Sequence, residues 1–449
     1  MRRTLIIVGI ALLPIVPIVL VVTGVIGKKA TTAPPVALTV WGTSDSATAY
    51  AGLIAKYKGA RPYITVTYKK VRAEDYYDQL VAAWAQGTGP DVFFVPNTWV
   101  GKMMEFAEPM PATSSIPIVT TKRGLLGNQT SVTQTPQAPP SAAVLKQTYI
   151  DAVLTDAYRT DQLWGLPLAM DTVVLYYNQA LLNNARIFEP ASTWADLVSQ
   201  ITGNQLTIVD SNNALVRSAV ALGTADNVPY SRDLLTLLMQ QNGATMISGD
   251  RAAFNSENGL KALEFYSSFA KESKESYSWN AQQPNALEAF LNGKVVYYFG
   301  THADRAAIAA SRLQWGVASM LQIDRSQTAQ QIDVARYDVA MVSKASKNAK
   351  RSAYAWNLIT YWARSDNVPM YLGATGQLSA QKKILAGQKD DPSVGVYAGQ
   401  LLTARSWYTG NGGPIIDQYF QALISAVASG QTGSAEAIRL TADQISSTL

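Results

Sequence analysis

The sequence predicts an α/β fold, and three observations carry that prediction. Short β-like runs alternate with amphipathic helical runs between Ala37 and Val95. The helical runs place apolar residues at i, i+3, i+4 and i+7, whereas the strand runs alternate or are apolar throughout. The chain also has 449 residues, 48% of them hydrophobic and none of them cysteine, so it can build a large core without disulfides. A β-α-β-α-β order implies a mainly parallel sheet with helices on both faces.

The elements follow in order. Ala37–Trp41 is a short strand. Tyr50, Leu53, Ile54 and Tyr57 mark a helix face, stopped by Gly59 and Pro62. Ile64, Val66 and Tyr68 alternate as a strand. Tyr77, Leu80, Val81 and Trp84 form the next helix face, ended by Gly87. Asp91–Val95 reads as a buried strand, with Asp91 bonding the backbone near the Gly89-Pro90 turn. Residues 108–143, rich in Pro, Thr, Ser and Gln, read as an irregular excursion. Val173–Tyr177 is a strand, and helices then dominate around Leu234–Met239, Leu260–Phe269 and Leu287–Leu291. Val295–Phe299, Trp315–Met320 and Tyr337–Val342 are further strands, and Ala353–Ala363 and Gln418–Ala428 are apolar-faced helices. No repeat of solenoid type is present.

The ends and the charge narrow the function. Met1-Arg2-Arg3 precedes an uncharged run from Thr4 to Gly27, long enough to span a bilayer as a helix. Residues 1–27 are therefore expected to be a single-pass transmembrane anchor or a signal, followed by a linker at 28–36. The linker, KKATTAPPV, reaches about 28 Å if extended. Without cysteine, a lipid-modified cysteine cannot be the attachment. The net charge of +5 is small and dispersed, which argues against a nucleic-acid partner.

The segment Asp161-Gln162-Leu163-Trp164-Gly165-Leu166-Pro167, running through Asp171 to Tyr176-Tyr177-Asn178-Gln179, resembles the "DGKLYGLP…TLALYYNK" segment of family 1 extracellular solute-binding proteins. These are the maltose-binding-like receptors of ATP-binding cassette (ABC) importers. Other segments match that family in order. Gln240–Ala244, Phe254–Glu257 and Ala262–Tyr266 look like "LLQNGG…FDSPEAVEALEFY". Ala289–Gly300 is similar to "AFAAGKAAMMFGG", Trp315–Ala318 to "FGVAPLP", and Val342–Lys347 to "VSKNSKN". The resemblance runs from about Leu38 to the C-terminus. It implies a two-lobed, periplasmic-binding-protein-like (type II) fold with an interlobe hinge. The implied lobes are 37–169 plus 320–345, and 170–319 plus 346–449. The crossings would lie near Ala169–Thr172, Ala318–Gln322 and Ser346–Arg351.

Open α/β sheets bind ligands beyond the carboxyl ends of their strands, and that rule nominates residues independently of family. Trp41 and Asp45 follow the first strand, Asn97 and Trp99 follow Asp91–Val95, and Thr301 and His302 follow Val295–Phe299. Aromatic rings cover the C–H face of a sugar, and carboxylates and amides hold its hydroxyls. Trp41, Trp99, Trp279, Trp407 and Tyr408 are the stacking candidates, with a place in the core as the alternative for the tryptophans, and Asp45, Asn97 and Asp171 the hydroxyl partners. By the resemblance, Asp171 falls at the crossover where ligand binds, with a hinge cap as the alternative. His302, the single histidine, reads as a structural or surface residue or as a ligand-side hydrogen bonder, rather than a metal ligand or base.

No GxSxG, HExxH, Walker A or GxGxxG motif occurs. The expectation is a non-enzymatic, membrane-tethered, extracytoplasmic receptor without metal or cofactor. It would act as a monomer and pass a small solute, foremost a carbohydrate, to an ABC permease. The alternatives are an adhesin or scaffold that kept the fold, and an anchored glycoside hydrolase acting through a carboxylate pair.

Overall fold

The computed structural model describes residues 33–124, 127–324, 326 and 330–449. Two five-stranded sheets organise the chain. In the first, the order is Ile64–Lys70, Val36–Gly42, Val92–Pro96, Asp338–Val342 and Gly165–Leu166. The first three strands are parallel, with Val36 opposite Ile64 and Val40 opposite Val92. The late strand Asp338–Val342 joins antiparallel, with Asp338 opposite Pro96. The helix Ala47–Ala60 buries Tyr50, Leu53 and Tyr57, as its spacing requires. The helix Tyr76–Ala85 turns Tyr76, Leu80 and Ala83 inward, one residue off the predicted face, and leaves Tyr77 and Trp84 half-buried.

In the second sheet the order is Ile208–Val209, Leu215–Val220, Val295–Gly300, Val174–Asn178 and Trp315–Ala318. Val295–Gly300 is buried along its whole length, which fits a central strand covered on both faces. It is parallel to Leu215–Val220 and antiparallel to Val174–Asn178, so this sheet is mixed. Helices Ser231–Gln241, Glu257–Ser268, Ile415–Ala428 and Ser434–Ser446 pack together over this lobe.

Two expectations change. The excursion holds a hairpin of two eleven-residue strands, Ser114–Gly124 and Gly127–Gln137, in unbroken register. Thr, Val and Ile favour strands, and the outer edges tolerate Pro117 and Pro136. Its root is tied to the first lobe, where Gln137 Nε2 donates to the Ala353 carbonyl at 2.8 Å. The second correction concerns residues 346–449, assigned above to the second lobe. Helices Ser352–Trp362 and Val368–Thr375 pack on Ala47–Ala60, in the first. Arg351 lies there too: its Nε donates to Asp91 Oδ1 at 2.7 Å, and Asp91 also accepts the Thr39 N–H at 2.9 Å. Periodicity reveals that a helix has an apolar face, not which sheet that face covers.

Of the expected crossings, Ala169–Thr172 and Ala318–Gln322 lie where the chain passes between the two sheets, whereas Ser346–Arg351 stays with the first lobe. The chain leaves the second sheet at Ala318 and enters the first at Asp338, and Ala404–Arg405 later pairs with Asp333–Val334. On the second-lobe side, neutral amides brace the crossings. Gln400 Nε2 donates to Thr172 Oγ1 (2.7 Å) and the Val173 carbonyl (2.6 Å), while its Oε1 accepts the Met320 N–H (2.7 Å). Gln241 Nε2 donates to the carbonyls of Leu321 (2.9 Å) and Ile332 (3.0 Å). No helix among the described residues is long and apolar enough to cross a membrane. The expected anchor at 1–27, and residues 28–32 of the expected linker, lie outside the described residues.

Candidate functional site

A cavity of about 650 Å³ lies between the two sheets and is lined from both lobes and from the crossings. The first-lobe wall is built on strand ends. Asp45, just past Val36–Gly42, accepts the hydroxyls of Tyr371 and Tyr50 (3.3 Å for the latter) and Gln377 Nε2 (3.2 Å). Asp338, at the start of its strand, accepts the Ser44 hydroxyl at 2.6 Å. Asn97, past Val92–Pro96, donates to buried Asp156 Oδ2 at 3.0 Å, and the Tyr337 hydroxyl donates to the same oxygen at 2.5 Å. Burial pushes the Asp156 carboxyl up to about 6 against those donors.

Asp171 and Arg336 meet at the crossings. Their backbones exchange hydrogen bonds of 2.7 and 2.9 Å. The Asp171 carboxylate accepts the N–H groups of Thr172 (2.8 Å), His302 (3.1 Å) and Ala303 (3.2 Å). Burial nonetheless raises it to about 6. The Arg336 guanidinium donates to Asp233 and lies 5.1 Å from the Tyr230 ring centre. Arg232 pairs with Asp233 at 2.7 Å and with Asp417. Burial alone would raise Asp233, but Arg232 and Arg336 outweigh it and hold the carboxyl below its usual range.

The second-lobe wall follows the strand Val295–Gly300. Thr301 and Asp304 cap the turn reciprocally, with Thr301 N–H donating to Asp304 Oδ2 at 2.9 Å. Tyr230 donates to the same carboxylate oxygen at 2.9 Å. His302 meets Tyr397 edge-on at 5.1 Å, and burial and then Arg305 depress its pKa, which favours the neutral ring. Across the mouth, a Cβ at Gly376 would stand 3.8 Å from His302 Cε1, so the lobes nearly meet there.

Of the residues nominated from sequence, the cavity brings together Asp45, Asn97, Asp171, Thr301 and His302. The aromatic nominees lie elsewhere. Trp279 is fully buried in the second lobe, donating to Asn227 Oδ1 at 3.0 Å. Trp407 packs against Phe420 and Phe254, at ring distances of 5.6 and 6.4 Å. Tyr408 is buried and hydrogen-bonds Thr448 Oγ1 at 2.8 Å. Trp41 is half-buried beneath Lys69 Nζ, 4.0 Å from the ring centre, and Trp99 packs edge-on against Tyr77 at 6.1 Å; neither lines the cavity. Trp41 pairs in register with Lys69 and Phe93, so its side chain leaves from the sheet face rather than from the strand end.

Sequence reasoning missed Tyr50, Tyr230, Arg232, Arg305, Arg336, Asp338, Tyr371 and Gln377, all of which line the cavity. Asp338 was findable, because it lies at the start of a strand already recognised. Tyr371 lies on the helix Val368–Thr375 and Gln377 just past it, in a stretch assigned to the other lobe, and neither carried a local signal. Among the described residues, no group of three or more His, Cys, Asp or Glu is placed to hold a metal ion. The wall offers fixed carboxylates, guanidiniums and hydroxyls, a set that suits hydrogen-bonded capture.

A model of the bacterial extracellular solute-binding protein family matches residues 52–395. No curated protein sequence matches the chain. Among solved structures, the fold is similar to an ABC transporter solute-binding protein from Thermotoga lettingae bound to α-D-tagatose (20% identity, TM-score 0.67, covering 92% of this chain and 99% of that one). It is also similar to the cyclic α-maltosyl-1,6-maltose binding protein of Arthrobacter globiformis (16%, 0.71, 92% and 98%). A third similar structure is a maltose-binding protein of Listeria monocytogenes in complex with maltose (16%, 0.66, 92% and 99%). At these identities the likeness speaks for the two-lobed fold.

Proposed function

The chain belongs to the bacterial extracellular solute-binding proteins, and on that premise we propose that it captures a small saccharide by hinge closure and delivers it to an ABC importer permease. The observation that carries this reading is the cavity itself. It lies beyond strand ends of both sheets, straddles the Asp171–Arg336 pairing at the crossings, and is lined by carboxylates, guanidiniums and hydroxyls. The family is one of binding proteins rather than enzymes, and its binding domain works outside the cytoplasm. Saccharide is favoured over other solutes because the similar structures named above hold tagatose or maltose or are named for a maltosyl sugar.

In this reading the strands of each sheet, with their covering helices, move as one lobe, and Ser352–Thr375 travels with the first. The uncharged run Thr4–Gly27 behind Arg2-Arg3 supports a single-pass anchor at residues 1–27 that holds a monomeric receptor near its permease.

The test is thermal shift on protein lacking residues 1–35, against monosaccharides, maltose-type oligosaccharides, amino acids and polyamines. A ligand that binds only the native state raises the melting point. A saccharide-specific rise, with the sugar recovered intact, is expected. No rise with any saccharide would refute the reading and favour a scaffold that kept the fold.

A further inference from the structure

Six charged side chains line the cavity: Asp45, Asp171, Arg232, Arg305, Arg336 and Asp338. Four are held by protein partners. Asp45 is held by Tyr50, Tyr371 and Gln377; Asp171 by three backbone N–H groups; Arg232 by Asp233 and Asp417; and Arg336 by Asp233. The other two differ. Arg305 has no carboxylate within ion-pair reach and no hydrogen-bond acceptor among the described residues; its guanidinium overhangs Trp315, 5.7 Å from the ring centre, and acts on Asp391 and His302 only through space. Asp338 has one donor, the Ser44 hydroxyl on Oδ2, and Oδ1 has none among the described residues. Asp338 belongs to the first lobe and Arg305 to the second.

We propose that Asp338 and Arg305 are the charged pair reserved for ligand: a polyhydroxylated solute donates a hydroxyl to Asp338 Oδ1 and accepts the Arg305 fork on neighbouring hydroxyl oxygens, bridging the lobes. The inference rests on the saccharide reading of the cleft. Its logic is that a charge held only by protein partners contributes to the fold, whereas one kept without a partner serves binding. Burial raises the Asp338 carboxyl, so the empty protein carries it at a cost. A guanidinium fork suits two adjacent oxygens, as a vicinal diol presents them. A sphere with the volume of the cavity is about 11 Å across, so a disaccharide can reach both walls.

The test measures two quantities on the full chain in detergent: the melting point without ligand, and affinity for D-tagatose, maltose and maltotetraose by calorimetry. Asp338→Asn is expected to leave the unliganded melting point unchanged or higher, and Arg305→Gln to leave it unchanged. Each is expected to weaken binding of the sugar that wild type takes by at least about tenfold, close to the value of one charge-assisted hydrogen bond. Asp45→Asn, by contrast, lowers the melting point of the empty protein. If wild type binds none of the three sugars, the saccharide reading falls and this inference with it. If wild type binds but both variants bind equally well, or both melt lower when empty, the assignment of the pair is wrong and the receptor reading stands. Should Asp338→Asn fail to fold, its reserved role is refuted, and Arg305→Gln still reports on the other wall.

Discussion

Replacing Asp156 by Asn isolates the energetic burden of a single buried carboxyl. Asp156 lies behind the cavity wall, holding Asn97 and Tyr337 through one oxygen, while its other oxygen has no hydrogen-bond partner among the described residues. Burial lifts it from 3.8 to about 6. Because the folded pKa is raised, the group's contribution to stability is fully present below pH 3.8 and is lost as the pH rises through about 6. A shift of that size is worth about 3 kcal/mol in total, of which about 2 kcal/mol falls between pH 4.5 and 7.5. Asparagine matches the shape and does not titrate. The stability difference between variant and wild type should therefore move about 2 kcal/mol in the variant's favour across that interval. With an unfolding entropy of about 2.1 cal/mol/K per residue, a chain of 449 residues converts this to about 2 °C. Calorimetric melting points of both proteins at the two pH values provide the measurement. Taking the difference cancels Asp171, which titrates in the same range in both. A gap that stays constant with pH would refute the claim that the carboxyl is raised by burial.

Three further outcomes are expected. Asp233→Ala leaves Arg232 and Arg336 without their shared carboxylate, and should cost about 3 kcal/mol, seen as a lower melting point in the unliganded protein. Trp279→Phe should destabilise by about 2 kcal/mol through lost volume and the lost bond to Asn227, yet leave sugar affinity within about threefold; a large affinity loss in folded protein would return Trp279 to the ligand. Gly376→Ala places a side chain at φ +72°, costing about 1 kcal/mol of backbone strain near His302, and should lower both melting point and affinity.

Much of the first lobe was legible in the sequence because its elements are local. Val36–Gly42, Ala47–Ala60 and Ile64–Lys70 each bury a periodic apolar set within one contiguous stretch. Strand ends then located Asp45, Asn97, Thr301 and His302 in the wall by a rule that needs no long-range information. What failed depended on distant partners. The hairpin's Thr-rich strands carry composition ordinarily read as loop, and only cross-strand pairing makes them regular. The helix Ser352–Trp362 gave no sign of the lobe it would cover. The tryptophans were chosen for chemistry without orientation, and the core took Trp279. Arg336 reaches the crossings through pairing with Asp171, 165 residues earlier, a contact no window of sequence contains.

The amides of Gln241 and Gln400 have a consequence for where this receptor works. They fasten the second-lobe roots of the crossings through side chains that neither titrate nor attract counterions. Outside the cytoplasm, acidity and salt follow the surroundings rather than the cell. The amide fastenings keep their hydrogen bonds through such swings, so changes in the medium register instead at the charged groups, at Asp171 beside the crossings and in the walls of the cleft.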